Sequence, residues 1–396
     1  MIKAGQSVTW LLKFFFLLFL MIFITQPLGA AEWRIEPVFS WQGVYDDNIL
    51  FRNESDFENR FSPGIRLNRS TERSNADLSG LVHIIRYVQN SEFDRENQDY
   101  RLNARYAASP RTSLSLASRL AIDYTFDEFW EEEGIVTEKS RRDSFDISPG
   151  LRLALDEQSS LQFNFFYNVV DYSRDANPDY DVLGAGLTWS RFFMDGRTEL
   201  FTLADFQRSV YDLSAAFDAS GAESEQRVYR LMVGARHRMT ETLDLSLQIG
   251  PMWTESRADV PVKIREDDLT YALLGSLDWR RERSRLHLGA DRSETQSIYG
   301  ENLIRKRVTA RMTHELNPRL RTMISGAYTQ SETDGFVRKR EWESVDLRSE
   351  LIYALRQNMD LSLGYNYRRS KNKITSSTDT GNRIYVMYSV SFPRIL

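Results

Sequence analysis

The sequence has 396 residues, of which 41% are hydrophobic and 27% are charged, and its formal net charge is −5. This composition is too polar for a helical membrane protein, although a membrane barrel with a polar lumen can carry it. The absence of cysteine excludes disulfide bonds, zinc-thiolate sites, a lipoprotein anchor and a thiol nucleophile. The negative charge argues against nucleic-acid binding, because proteins of that class are usually basic.

The N-terminal residues have the pattern of a secretory signal. Two lysines precede the apolar run Phe14–Ile24, and small residues follow it up to Ala31. The pattern predicts a cleaved signal peptide over 1–31 and a mature part over 32–396. A membrane anchor is the alternative, but the run is short for a spanning helix and no basic residues follow it directly.

Strand-like segments then recur along the chain at a spacing of about 20 residues, and eighteen of them can be recognised. In chain order they cover 33–45, 59–70, 77–87, 100–107, 114–124, 145–155, 161–169, 181–193, 198–211, 227–239, 243–253, 269–279, 285–295, 303–316, 320–328, 343–355, 361–368 and 382–392.

The connections between these segments alternate in length. Short turns follow every even strand, among them the Asp195-Gly196 hairpin signal, and longer loops follow every odd strand. Bacterial outer-membrane barrels have this asymmetry, with short periplasmic turns and longer outer loops, whereas a soluble sandwich has no reason to sort its loops by parity. The predicted fold is therefore all-β, a transmembrane antiparallel up-and-down barrel of 16–18 strands. The predicted outer loops are Asp46–Glu58, Asp127–Arg141, Asp212–Gln226, Glu255–Asp268, Ser331–Arg340 and Lys371–Asn382.

The last strand has one apolar and one mostly polar face. Its apolar face runs from Ile384 to Phe392, and its polar face begins at Arg383. We expect it to close the barrel against strand 33–45, since an open edge cannot exist in lipid. Outer-membrane barrels commonly end on an aromatic residue that serves the assembly machinery. Phe392 fits this role and is the expected end, although 393–396 could continue the strand.

Charged side chains repeat in phase on the polar faces of several strands. An ionisable group that faces lipid costs about 2–4 kcal/mol at the bilayer midplane, so we expect these side chains to face the lumen. They form either a generic wet wall paired with acids or a ladder that steers anionic solutes. The candidates are Arg101, Arg105, Arg230, Arg236, Arg238, Arg305, Arg307, Arg311, Asp346, Arg348 and Glu350.

Catalytic and metal-binding signatures are weak. None of the four histidines, His83, His237, His287 and His314, stands in a catalytic motif. The acidic pairs and triplets in the predicted loops lack EF-hand spacing. We therefore expect no enzyme activity, no cofactor and no metal site.

Three short stretches near the start of the mature part carry a family resemblance. They are Tyr45-Asp-Asp-Asn-Ile-Leu-Phe51, Ser55-Asp-Phe57 and Phe61-Ser-Pro-Gly-Ile-Arg-Leu67. Together they resemble the putative β-barrel porin 2 family. The resemblance implies a Gram-negative outer-membrane barrel, often linked to exopolysaccharide export, and it brings no catalytic residues with it.

The expected function is that of an outer-membrane channel for polysaccharide or small anionic solutes, surrounded by outer-membrane lipid. One alternative is a non-conducting structural or adhesive barrel that acts through its outer loops. A barrel hydrolase is the other alternative, and it would depend on a histidine in the lumen.

Overall fold

The computed structural model describes residues 31–125, 139–173, 177–193, 196–213, 222–259, 263–297, 302–333 and 340–395. The predicted signal peptide, except Ala31, lies outside these residues, as does most of the predicted loop Asp127–Arg141. Within the described ranges, helices are too short and too polar to cross a bilayer.

The described chain is a succession of long antiparallel strands. They are β1 (Glu32–Asp46), β2 (Asp56–Ser70), β3 (Ser74–Tyr87), β4 (Arg95–Ser109), β5 (Thr112–Tyr124), β6 (Arg141–Ala154), β7 (Ser159–Tyr172), β8 (Asp179–Phe193), β9 (Thr198–Asp212), β10 (Glu223–Thr240), β11 (Leu243–Asp259), β12 (Lys263–Arg281), β13 (Ser284–Gln296), β14 (Asn302–Asn317), β15 (Leu320–Thr333), β16 (Arg340–Arg356), β17 (Met359–Asn372), β18 (Thr378–Ser391) and the short β19 (Arg394–Ile395). Single 3-10 turns occupy Ile49–Phe51 and Ser91–Phe93.

Each strand pairs with its neighbours in sequence, and β18 pairs with β1 to close the sheet. The closing register runs from Val38 opposite Ser391 to Asp46 opposite Arg383. Closure leaves no row of unpaired backbone groups, which is the condition for a sheet to lie in lipid. The predicted all-β, antiparallel up-and-down barrel is confirmed, with eighteen wall strands.

The end of the closing strand differs from the expectation. Beyond Phe392, whose N–H donates to the carbonyl of Pro37, pairing resumes with Arg394 opposite Ile35 and Ile395 opposite Arg34. The register is the same before and after Pro393, so this residue only omits one backbone donor. The prediction that the strand ends at Phe392 is wrong, because one interruption does not change the alignment of the two chains.

Deleting 393–396 should therefore weaken the seam without abolishing the barrel. The loss of the β19 pairing is expected to cost about 1–2 kcal/mol, because two paired positions of the seam are removed. The midpoint of heat-modifiable migration on a gel measures this change. Ile395→Ala is the control, since it keeps the backbone pairing. An unchanged midpoint after the deletion would show that β19 contributes nothing to closure.

Connection lengths follow the predicted parity except between β11 and β12, and the strands are longer than expected. Two residues suffice after β4 and β10, whereas nine separate β1 from β2. The predicted outer loop Glu255–Asp268 is mostly paired strand, with Glu255 opposite Asp267. Its charged sequence hid a hairpin that extends the outer ends of β11 and β12.

Backbone conformation and side-chain hydrogen bonds define the short turns, which lie at the end of the barrel opposite the predicted outer loops. Gly196 has φ +81°, the left-handed conformation that the Asp-Gly signal predicts, while its partner Asp195 lies outside the described residues. Between β6 and β7, the backbone N–H groups of Gln158 and Ser159 donate to Asp156 Oδ1 at 2.7 Å each. These bonds hold the pKa of Asp156 below its ordinary value, because they stabilise the charged carboxylate.

The two faces of the sheet are chemically distinct. On β10, Tyr229, Leu231 and Val233 are exposed on one face, and Arg230 lies on the other. On the second face, side chains two strands apart touch, as when Tyr385 of β18 donates to Glu350 of β16. Such contacts require a concave surface, so this second face, called the inner face below, lines the lumen. The apolar outer face is the one suited to lipid.

Candidate functional site

The predicted charged candidates all lie on the inner face of their strands. Register places Arg101 and Arg105 of β4 opposite Ser79 and Asn75 of β3, on the face of the Glu58–Tyr87 bond. The other strands keep the same alternation through the closed ring. The residues so placed are Arg101, Arg105, Arg230, Arg236, Arg238, Arg305, Arg307, Arg311, Asp346, Arg348 and Glu350.

Several of these arginines form ion pairs with carboxylates of the same wall. Arg230 pairs with Asp205 at 2.7 Å, and Arg236 pairs with Glu199 at 2.9 Å. Arg305 pairs with Asp291 at 3.2 Å. The wall is therefore largely balanced in charge, as the wet-wall interpretation expects.

The pairing is not one to one everywhere, because some carboxylates each form ion pairs with two arginines. Glu36 lies between Arg34 and Arg66, with N–O distances of 3.3 and 3.6 Å. Asp99 pairs with Arg101 at 2.6 Å and with Arg119 at 2.7 Å.

A third carboxylate, near the short-turn end, repeats the arrangement. Asp244 pairs with both Arg238 and Arg280. We call these three groups, on Glu36, Asp99 and Asp244, the shared-carboxylate groups. Each group carries one more positive than negative charge.

The arginines of these groups also reach farther into the lumen than the acids. Side chains of Arg66 and Arg101 are 57% and 55% exposed, whereas those of Glu36 and Asp99 are 15% and 14% exposed. The cause is side-chain length, since a guanidinium ends several bonds beyond the carboxylate it pairs with. A solute in the lumen therefore meets guanidinium groups first.

A second arrangement, which the sequence did not reveal, lies at the seam between first and last strands. Asp46 and Glu58 are almost fully buried on the inner face at the outer end of β1 and β2. Arg368 of β17 reaches over β18 and donates to both oxygens of Asp46, at 3.0 and 2.8 Å. Arg383 of β18 reaches over β1 and donates to Glu58 at 3.1 Å.

Further bonds complete this seam network, which we define as Asp46, Glu58, Arg60, Tyr87, Arg95, Arg368 and Arg383. Arg60 donates twice to Glu58 Oε1, at 3.1 and 2.9 Å, and Tyr87 donates to Glu58 Oε2 at 2.8 Å. Arg95 lies over the Tyr87 ring and donates to its hydroxyl at 3.4 Å. The sequence contained one indication of this network. Asp46 and Arg383 lie on the polar faces of the two strands that were predicted to close the barrel.

The connection between β1 and β2 covers this network and belongs to the Tyr45–Phe51 motif. Ile49 and Phe51 are buried, and Ile49 clusters with Ile85, Tyr87 and Phe93 beside β3. Phe51 also lies under the guanidinium of Arg368 on β17, at 5.2 Å. The segment thus spans from β17 to β3 on the inside of the outer mouth.

Specific bonds hold this segment, which we call the mouth loop (residues 47–55). Asn48 donates to the carbonyl of Thr380 at 2.6 Å and accepts from the Asn53 N–H at 2.6 Å. Leu50, Phe51 and Asn53 have φ of 49°, 59° and 59°. Left-handed conformations at leucine and phenylalanine cost energy and persist only where the surroundings fix them, often at functional positions.

The four histidines have local hydroxyl or carboxylate partners. His83 bonds to Ser62, His237 to Thr198 and His314 to Ser284, each at 2.8 Å. His287 bonds to Asp278 at 2.8 Å. No cluster of three or more potential metal ligands occurs in the part of the chain that the structure describes.

Comparison with known families identifies the barrel. The family model described as putative beta-barrel porin 2 matches residues 27–392, nearly the whole chain. The chain belongs to this family. Its members are porins of the outer membrane, so the predicted location and the porin-like class are confirmed. No curated protein matches the sequence.

Several solved structures are similar to this chain at low sequence identity. The ferric citrate transporter FecA has 9% identity and a TM-score of 0.52, with 91% of this chain and 79% of FecA covered. The copper transporter OprC has 10% identity and a TM-score of 0.52, with 89% and 63% covered. OpdK of Pseudomonas aeruginosa, solved with vanillate, has 12% identity and a TM-score of 0.46, with 91% and 99% covered.

Proposed function

We propose that this porin-family barrel is a passive channel for small anionic solutes or for acidic polysaccharide. Barrels of 16–18 strands are wide enough to leave an aqueous path. The resemblance to a family often linked to exopolysaccharide export supports the polysaccharide form of this proposal. Outer-membrane lipid would surround the outer face, and the assembly machinery would recognise the closing strand.

The shared-carboxylate groups support the anionic preference. At Glu36, Asp99 and Asp244 two guanidinium groups share one carboxylate, and the arginines are the more exposed partners at all three places. Rings of arginine or lysine favour anions in pores, because the field acts on every ion that passes. The carboxylates lie deeper in the wall and are covered by the arginines that pair with them, so they contribute less to the electric field in the lumen.

Reversal potentials in a planar bilayer with a salt gradient test this proposal. The wild-type channel should prefer chloride over potassium. A triple variant, Arg66→Gln, Arg101→Gln and Arg238→Gln, should lose most of that preference, because every group becomes neutral. Each carboxylate keeps one arginine, so folding should be preserved.

Arg257→Gln is the matched control for this measurement, since Arg257 lies on the outer face beside Glu255. It also removes one positive charge but should leave the reversal potential unchanged. A cation-selective wild-type channel, or equal effects of the triple and control variants, would refute the anionic preference.

A non-conducting barrel that acts through its outer loops is the second candidate. The observation that favours it is the mouth loop, whose buried side chains lie inside the outer mouth. Single-channel recording separates the two candidates, because a closed barrel passes no ions at any voltage.

A further inference from the structure

A polar cavity of about 260 Å³ opens on the inner face between β2 and β5, beside the seam network. This volume is below the roughly 300–1,000 Å³ of pockets for drug-sized ligands, so the cavity limits a ligand to about one monosaccharide unit. The side chains that line it include those of Arg60, His83, Asn97, Asp99, Arg101 and Arg119.

Two arginines of the cavity lining share a single carboxylate. Asp99 is shared: Arg101 Nε and Nη2 donate to its two oxygens at 2.6 and 2.9 Å, and Arg119 donates to Oδ2 at 3.0 and 2.7 Å. The other lining carboxylate, Asp123, accepts two bonds from Arg142. Asp99 therefore divides its negative charge between two guanidinium groups of the lining.

Hydrogen-bond donors accompany these guanidinium charges. Arg60 and Arg119 each direct Nε and Nη2 to a carboxylate, and their Nη1 groups make no hydrogen bond within the described ranges. Both side chains are about one-third exposed. Planar guanidinium groups with unused N–H donors are suited to a carboxylate.

Neutral polar groups lie beside the arginines. The amide of Asn97 and the imidazole of His83 line the same cavity, and His83 is oriented by its 2.8 Å bond to Ser62 Oγ. Amide and imidazole groups suit the hydroxyl groups of a sugar, since they both donate and accept hydrogen bonds.

We propose that this cavity binds a sugar acid, with the carboxylate on Arg60 and Arg119 and the hydroxyls on Asn97 and His83. The inference rests on the proposed anionic channel and assigns a substrate class and a binding subsite to it. Solutes that carry both groups would pause here on their way through the lumen.

Isothermal titration of the full-length protein in detergent with glucuronate tests this inference independently of conductance. Glucuronate should bind, whereas glucose, which lacks the charge, and acetate, which lacks the hydroxyls, should bind at least about tenfold more weakly. Arg119→Gln should weaken glucuronate binding about tenfold, because one charge-assisted contact is lost while Asp99 keeps Arg101.

Arg105→Gln is the control, since Arg105 lies on the same face of β4 but does not line the cavity. It should leave binding within about twofold of wild type. Equal losses in both variants, or no glucuronate binding, would overturn the subsite even if the channel proves anion-selective. Acetate binding as tight as glucuronate binding would overturn the sugar part. Binding by a barrel that passes no ions would uphold the subsite and refute the channel.

Discussion

Glu58→Ala is expected to destabilise the barrel by about 3–5 kcal/mol, the cost of breaking a buried ion pair by removing one partner. Glu58 is fully buried and accepts hydrogen bonds from Arg60, Arg383 and Tyr87. Without it, the two guanidinium groups lose a carboxylate and the Tyr87 hydroxyl loses its acceptor. Arg383 would keep only Asp46, which it shares with Arg368.

Urea titration of the protein in lipid vesicles, followed by tryptophan fluorescence, measures this loss. Glu36→Ala is the matched control, because Glu36 also lies on the inner face between two arginines, and those arginines are half-exposed. Exposed ion pairs contribute about 0–1 kcal/mol, so the control should change little. Similar losses in both variants would mean that burial does not set the strength of the seam network.

The eighteen strands and their two faces were predictable because both depend on local periodicity. Alternation places Ile384 and Arg383 on opposite faces without reference to any other strand. Strand ends were less predictable, since pairing decides them. Glu255–Asp268 is polar enough to be a loop and becomes a hairpin because each residue finds a partner across it.

The seam network was not predictable in the same way, because it combines residues distant in sequence. Arg368 and Asp46 are separated by 322 positions and meet only through closure of β18 on β1. A sequence pattern gives the face of each residue but not its height along the wall. Height depends on the register of every pair, which the strand pattern leaves open.

The shared-carboxylate groups were predictable from the sequence only in part. Phase placed Arg101 on the polar face, and side-chain length explains why it is more exposed than Asp99. The sharing itself needs Arg119 on the neighbouring strand, opposite Arg101 in the register of β4 and β5. Ion pairs, as in the wet-wall interpretation, and exposed arginines, as in the anion-steering interpretation, therefore occur on the same wall.

The double variant Ile49→Ser and Phe51→Ser is expected to raise the single-channel conductance roughly twofold, since conductance follows the open area of the narrowest part of a pore. Burial of these two side chains stabilises the folded position of the mouth loop by roughly 1.5–3 kcal/mol each. That contribution opposes the cost of left-handed conformations at Leu50 and Phe51. Without it, the loop should leave the inner face and open the outer mouth.

Ile374→Ser is the control, because Ile374 is exposed in the connection between β17 and β18 and buries little surface. It should leave the conductance at the wild-type value. Conductance that stays low in the double variant would place the narrowest part elsewhere in the lumen. The next position to vary would then be the buried cluster on the inner face of β10–β12, formed by Val228, Met232, Met252 and Ala272.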